Sequence, residues 1–364
     1  MPLCEVSESV RLHYEVVGSG SERILFIMGM LTEGAIWTTQ TDYFKSKYEC
    51  CFFDNAGVGK SSSSPFNLTT YMMAQHSLAL VNHLKWEKFH LVGISMGGMI
   101  AIEMVLEMIK RDEADRILNL SLLCTTTNAN GLTGYYPIKG ILLTVKALMT
   151  RTLEARIEIV LKLLYSQKTL SNSHRYQQLI EKHRKSSENR QLPSLRSALT
   201  HIRSVNTHHV SAPRLLALRY SNIPVLIVAA TDDVLVSHVN SERMHQVLNC
   251  DYHVMHDAGH GINSEYADEL HWVLEKHFQN HENVRKGMPL NIKQHYAKEL
   301  SIVGLACQHN GSCWQHCTVA AIKLWIATRI VFKIIFILYH LSNQKIPSTF
   351  VKHHNTAFMI PTIL

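Results

Sequence analysis

Gly93-Ile94-Ser95-Met96-Gly97-Gly98 is the stretch on which the fold turns. It follows an apolar run, Phe89-His90-Leu91-Val92, and opens a segment, 96–109, whose apolar residues recur at helical spacing. A serine between glycines at that junction has a steric meaning. A sharp strand-to-helix turn forces its central residue into strained φ/ψ, so the close neighbours must lack bulky side chains. Gly93 and Gly97 meet that need, and Gly98 lets the helix approach a sheet. Ser95 would then project its hydroxyl into a crevice at the positive end of the following helix. The bland alternative is a chance motif in a glycine-containing loop; the flanking strand and helix argue against it.

Reading outward, 5–10 and 11–17 are two short strands ending at Gly18-Ser19-Gly20. Ile24-Leu25-Phe26-Ile27-Met28 is a continuous apolar run, as in a strand buried on both faces, and 49–53 repeats that character. A helix is predicted over 69–84, with Thr69 or Thr70 as its N-cap, and a strand over 118–124. Further on come a strand at 224–230, a helix at 240–248, a strand at 252–255 and a helix at 265–278. This alternation predicts an α/β fold: a mainly parallel sheet with helices on both faces. The interruption at 128–222 is mostly helical in pattern. An insertion after the carboxyl end of a strand lies over the ligand crevice in such folds, so a helical cap is expected, with an unrelated inserted domain as the alternative.

Of the 364 residues, 46% are hydrophobic and 18% charged, enough apolar material for one sizeable core. The formal net charge of +7 is unevenly placed: from Leu300 to Leu364 there is no acid, while Lys323, Arg329, Lys333, Lys345 and Lys352 are all basic. The chain thus divides into a body, 1–283, and a basic tail, 284–364. Within the tail, 319–341 is apolar yet carries Lys323, Arg329 and Lys333 as a stripe on one side of a helix. A membrane contact or a transmembrane helix is expected there, or else carried-over non-coding sequence. Cys307, His309, Cys313, His316 and Cys317 fit no zinc spacing. The start lacks the basic and apolar regions of a secretory signal, and the scattered cysteines suit reduced, mostly buried thiols, so a cytoplasmic setting is expected. No cofactor, metal or nucleic-acid partner is implied.

With these segments in hand, the chain over about 5–280 resembles the α/β-hydrolase superfamily, in its esterase- and lipase-like serine hydrolase branch. The resemblance is carried by 26–31, 53–61, 93–98 and the surroundings of Asp233 and His260. It implies Ser95 as nucleophile and two backbone N–H donors for the oxyanion, those of Met96 and Met30. Two departures stand out. The family usually has His-Gly before the second donor, where this chain has Met28-Gly29, so the loop loses a polar brace. Asp54-Asn55-Ala56-Gly57-Val58-Gly59-Lys60-Ser61 resembles the family's Asp-x-Arg-Gly turn, but Ala56 stands where arginine is usual. The segment reads as architectural; it lacks the full spacing of a phosphate loop.

A serine hydroxyl is a poor nucleophile until an imidazole takes its proton, and the imidazole needs a carboxylate to fix its tautomer. The strand at 224–230 ends in Thr231-Asp232-Asp233-Val234-Leu235-Val236-Ser237, whose register against the family pattern implies Asp233 as the acid, with Asp232 as rival. His256-Asp257-Ala258-Gly259-His260-Gly261 places His260 after a small residue and a glycine, where the family has its base. The order Ser95, Asp233, His260 fits. The predicted function is hydrolysis of a small-molecule carboxylic ester through an acyl-enzyme on Ser95. Acyl transfer, C–C hydrolysis and a non-catalytic receptor on the same scaffold are the alternatives. The apolar cap stretch 141–164 and Met28, Met30, Met96 and Met99 could line an acyl pocket or simply pack. The basic cluster 182–185 reads as a solvated face.

Overall fold

A computed structural model describes residues 2–62, 65–128, 137–188 and 193–279. The strands are β1 (Leu3–Ser7), β2 (Val10–Val17), β3 (Glu22–Ile27), β4 (Tyr48–Phe53), β5 (Phe89–Ile94), β6 (Ile117–Leu123), β7 (Val225–Ala230) and β8 (Asp251–Met255). They form one sheet in the order β1-β2-β4-β3-β5-β6-β7-β8. β1 and β2 pair antiparallel, as do β2 and β4; every later neighbour pair is parallel. β5, β6 and β7 are buried along their whole length. Helices on both faces leave such central strands no solvent side, which is why they read as unbroken apolar runs.

The helices are α1 (Thr38–Phe44), α2 (Thr70–His83), α3 (Met96–Lys110), α4 (Ile138–Met149), α5 (Leu153–Leu164), α6 (Gln167–Ser171), α7 (Ser173–Glu188), α8 (Leu195–Thr207), α9 (Ala212–Arg219), α10 (His238–Leu248), α11 (Ile262–Glu265) and α12 (Ala267–Gln279). Alternating strand residues feed two cores. Leu25 and Ile27 pack with Met73 of α2, Ile100 and Met104 of α3, Leu215 of α9 and Met244 of α10. Ile24 and Phe26 pack on the other face with Trp37, Phe44 of α1, and Leu270, Leu274 and Phe278 of α12. Of the two candidate N-caps of α2 it is Thr69 that serves, its hydroxyl accepting from the Met72 N–H at 3.2 Å.

Helices α4 to α8 fill the predicted cap region, where Ile157, Leu161, Tyr165 and Leu179 form a small core of their own. The last helix of the interruption behaves differently: α9 contributes Leu215 and Leu218 to the main core and lies against α3 and α10. The helix expected over 265–278 is α12, which starts two residues later, and the short α11 precedes it across Tyr266. Cys4, Cys50, Cys51 and Cys124 are buried free thiols.

The expectation of a membrane-spanning helix is corrected. Among the described residues no helix is long and apolar enough to cross a membrane. The longest, α7, has 16 residues and carries Lys182, Arg184 and Lys185; at a rise of ~1.5 Å per residue it reaches about 24 Å, short of a ~30 Å hydrocarbon core. The stretch 319–341, on which that expectation rested, lies outside the described residues, as does the Cys/His cluster at 307–317.

Candidate active site

Ser95 sits between the end of β5 and the start of α3 with φ 57° and ψ −125°. For a residue with a side chain this backbone is strained, by roughly 1–3 kcal/mol, and its surroundings must hold it. They do so through four bonds. Ser95 N–H donates to Leu123 O at 2.9 Å, and Ser95 O accepts from Gly98 N–H at 3.0 Å, from Met99 N–H at 3.3 Å and from the Thr125 hydroxyl at 2.7 Å. The glycine requirement is one of close approach. A Cβ on Gly93 would lie 2.4 Å from Gly97 O, and one on Gly97 would lie 2.1 Å from Ile27 O. Both obstacles are backbone and cannot swing aside. The Ser95 side chain is partly exposed, and among the described residues its hydroxyl makes no hydrogen bond.

Asp233 lies three residues beyond β7, buried, and His260 five beyond β8, also buried. The structure brings these two together: His260 Nδ1 donates to Asp233 Oδ2 at 2.7 Å. The other carboxylate oxygen, Oδ1, accepts from the N–H groups of Leu235 and Val236 at 2.7 and 2.8 Å. Asp232 is separated from this pair. It is exposed, among the described residues its carboxylate accepts only from the Thr231 hydroxyl at 3.4 Å, and its N–H donates to Ala258 O at 2.9 Å. Because β5, β6, β7 and β8 are adjacent and parallel, Ser95, Cys124, Asp233 and His260 all follow the carboxyl ends of neighbouring strands. They share one edge of the sheet, where strands are about 4.8 Å apart. Among the described residues the Nε2 atom of His260 has no hydrogen-bond partner.

Met96 opens α3, so its N–H points out of the helix start. Beside it runs the Met28–Met30 loop, where a Cβ on Gly29 would come within 3.1 Å of Ser95 Cβ and 3.6 Å of Ser95 Oγ. Among the described residues, neither the Met30 nor the Met96 N–H finds an acceptor. The side chains of Met28, Met96 and Met99 are buried, and that of Met30 is partly exposed. The apolar cap stretch is divided: Ile157 and Leu161 are buried in the cap, while Ile138, Leu142 and Met149 of α4 are exposed. The basic cluster on α7 is solvated, with Arg184 and Lys185 both paired to Glu181.

The turn after β4 is indeed architectural. Asp54 Oδ1 accepts from Gly34 N–H at 2.8 Å, and Oδ2 accepts from Lys60 N–H at 3.0 Å and faces His13 Nδ1 at 3.2 Å. An acidic side chain therefore fills the turn that a phosphate would need.

Several residues around the site had no sequence signal. Cys124, buried at the end of β6, lies against Asp233; burial first, then the neighbouring carboxylate, push its thiol well above the ordinary range. Glu265 joins the cap to the turn before His260: Oε1 accepts from the N–H and hydroxyl of Ser166 at 2.9 and 2.7 Å, and Oε2 from Gly259 N–H at 2.6 Å. Cys124, Asp233 and His260 bring potential metal-ligand atoms within 4.8 Å of one another. That donor set suits a soft divalent ion in kind. Its facing atoms on Asp233 and His260, however, are already engaged with each other.

A sequence profile of the family described as alpha/beta hydrolase fold matches residues 22–266. The dihydrolipoyllysine-residue acetyltransferase component of the acetoin cleaving system of Cupriavidus necator is 23% identical over 74% of this chain and 67% of its own length. The 3-oxoadipate enol-lactonase 2 of Acinetobacter baylyi is 30% identical over 26% of this chain and 35% of its own. Matches to several curated relatives thus span well under half of their length. Among solved structures, the putative non-heme bromoperoxidase BpoC of Mycobacterium tuberculosis superposes with a TM-score of 0.62 at 22% identity, over 74% of this chain and 96% of that one. A thermophilic esterase from Thermogutta terrifontis gives 0.60 at 20%, over 75% and 94%. At such identities these likenesses show the fold. The profile covers well over half of the sequence, and the chain belongs to the alpha/beta hydrolase fold family.

Proposed function

We propose that this protein is a serine hydrolase acting on a small carboxylic ester, with Ser95 as nucleophile, His260 as general base and Asp233 as the acid that orients it. The observation that carries the proposal is the 2.7 Å His260–Asp233 bond on the sheet edge where Ser95 holds its strained turn. With Nδ1–H committed to Asp233, the lone pair of the imidazole is on Nε2, the nitrogen free to take the Ser95 proton. In the reaction, Ser95 Oγ bonds to the ester carbonyl carbon as its proton passes to Nε2. The carbonyl oxygen becomes an oxyanion between the Met30 and Met96 N–H groups. Collapse breaks the C–O bond and His260 returns its proton to the departing alkoxide. Water then repeats the sequence on the acyl-enzyme, yielding the carboxylic acid and free Ser95. The name of the 3-oxoadipate enol-lactonase relative, a lactone being a cyclic ester, supports an oxygen ester as substrate.

An alkyl fluorophosphonate tests this directly. The wild-type chain should be labelled and Ser95→Ala should not; an unlabelled wild-type chain, or a labelled Ser95→Ala, would refute the proposal.

A further inference from the structure

The two departures from the family pattern, Met28 and Ala56, lie on loops that face one another, and one buried side chain touches both loops. His201 comes from the cap helix α8. Its Nε2 donates to Ala56 O at 2.8 Å, and its Nδ1 accepts from Leu31 N–H at 3.3 Å. These bonds require the neutral Nε2–H tautomer, and burial lowers the affinity of the ring for a second proton. The helix that carries His201 is itself fixed. Ser194 caps it, and Ser204, one turn beyond His201, donates to Leu68 O at 2.8 Å.

The Leu31 N–H belongs to the Met30–Leu31 peptide plane, next in the chain to the plane that carries the Met30 N–H. The far end of that plane is held too, because the Thr32 hydroxyl donates to Met30 O at 3.0 Å. On the other side of the donor peptide, the Met28–Gly29 plane is held by Asn55 Nδ2, which donates to Met28 O at 3.0 Å. The peptide between Gly29 and Met30 therefore has both neighbours clamped, and its N–H direction is set by them. Leu31 has φ 58°, a left-handed conformation unusual for leucine, so the loop needs such restraint to keep its shape. We propose that His201 is a positioning residue for the oxyanion-binding N–H of Met30, supplying from the cap the brace that Met28 and Ala56 do not. The inference rests on the reading of Met30 as an oxyanion donor.

Its test uses the full chain and the two amide substitutions that each keep half of the imidazole. Asn places its carbonyl oxygen near the Nδ1 position and can still accept from Leu31; Gln places its NH2 near the Nε2 position and can still donate only to Ala56. The readouts are the second-order rate of phosphonylation by an alkyl fluorophosphonate, and kcat and KM on p-nitrophenyl butyrate. His201→Gln and His201→Leu should slow phosphonylation and kcat by about 10- to 100-fold with little change in KM, since a displaced donor is missed in the transition state. His201→Asn should lose least. Thr32→Val, which frees the other end of the same peptide plane without touching the cap, should act in the same direction. It carries the test if the His201 variants do not fold. Wild-type rates in the folded variants, or equal losses for Asn and Gln, would overturn the role of His201 while labelling at Ser95 left the hydrolase reading standing. Failure of the wild-type chain to be labelled at Ser95 would overturn both.

Discussion

Replacing Asp233 by asparagine should abolish most activity while leaving the fold intact, and the surroundings of the carboxylate say why. Asp233 Oδ1 accepts from two backbone N–H groups, those of Leu235 and Val236, and Oδ2 accepts from His260 Nδ1. An asparagine must put its NH2 in one of these two places. Toward Leu235 and Val236 it would set donor against two buried donors, at about 1–3 kcal/mol for each one left unpaired. Toward His260 it meets one nitrogen, which can become an acceptor by moving its proton to Nε2. The second placement costs less, so the amide locks the imidazole in the tautomer whose Nε2 already carries hydrogen. Such a ring cannot take the Ser95 proton. Loss of the correct tautomer in a Ser-His-Asp relay costs about 10⁴ in kcat, or roughly 5 kcal/mol of transition-state stabilisation.

Asp232→Asn is the control. Among the described residues its exposed carboxylate holds nothing but a 3.4 Å contact from Thr231, so kcat should stay within about threefold, the range of a surface change below ~1 kcal/mol. Measured on p-nitrophenyl butyrate with circular dichroism to confirm folding, the two variants should differ by about three orders of magnitude or more. Similar losses in the two, or an Asp233→Asn enzyme within tenfold of wild type, would refute the relay through Asp233.

Two further outcomes concern the fold. Burial depresses His76 to about 4 and His208 to about 3, so in the folded chain both stay neutral where the unfolded chain, with pKa near 6.5, takes up protons. Their contribution is whole above about pH 6.5 and is lost as pH falls, by up to ~1.4 kcal/mol per unit for each, until the folded values are reached. Urea unfolding between pH 7.5 and 4.5 should show that slope. His76→Leu, which removes a ring with an unpaired buried Nδ1, should reduce it by one proton; an unchanged slope would discount His76. Gly97→Ala drives a Cβ to 2.1 Å from Ile27 O, so it should destabilise the protein by about 3 kcal/mol or more, and a melting temperature equal to wild type would contradict the packing described for the turn.

The parts of this architecture that could be read from sequence are those imposed by local physics. Strands buried on both faces must be continuously apolar, and β5, β6 and β7 are. A turn as tight as that at Ser95 must be flanked by glycine, because Gly93 and Gly97 each approach backbone to within 2.4 Å of where a Cβ would be. The interruption after β6 was legible as helical, but not the allegiance of α9: its Leu215 and Leu218 look no different from cap leucines until the sheet is assembled beneath them. The short α11 before α12 was hidden for a related reason. The apolar spacing runs through both α11 and α12, while the turn serves Glu265, whose carboxylate reaches back to Ser166 and Gly259.

What sequence could not supply were the partners that are distant in the chain. Met28 and Ala56 read as losses only while the oxyanion loop and the Asp54 turn are considered by themselves. In the folded chain a histidine 145 residues beyond Ala56 donates to it, and the same ring accepts from Leu31, 170 residues before it. Nothing at position 201 distinguishes that histidine from the other 22. A cap that carries the brace makes a demand that a local brace would not. On the proposed role of His201, a cap exchanged for one without a histidine at this position would leave Leu31 N–H without its acceptor. Such an exchange should lower kcat even where the new cap binds the substrate as well as the old one, and restoring a histidine at 201 in the exchanged cap should recover it.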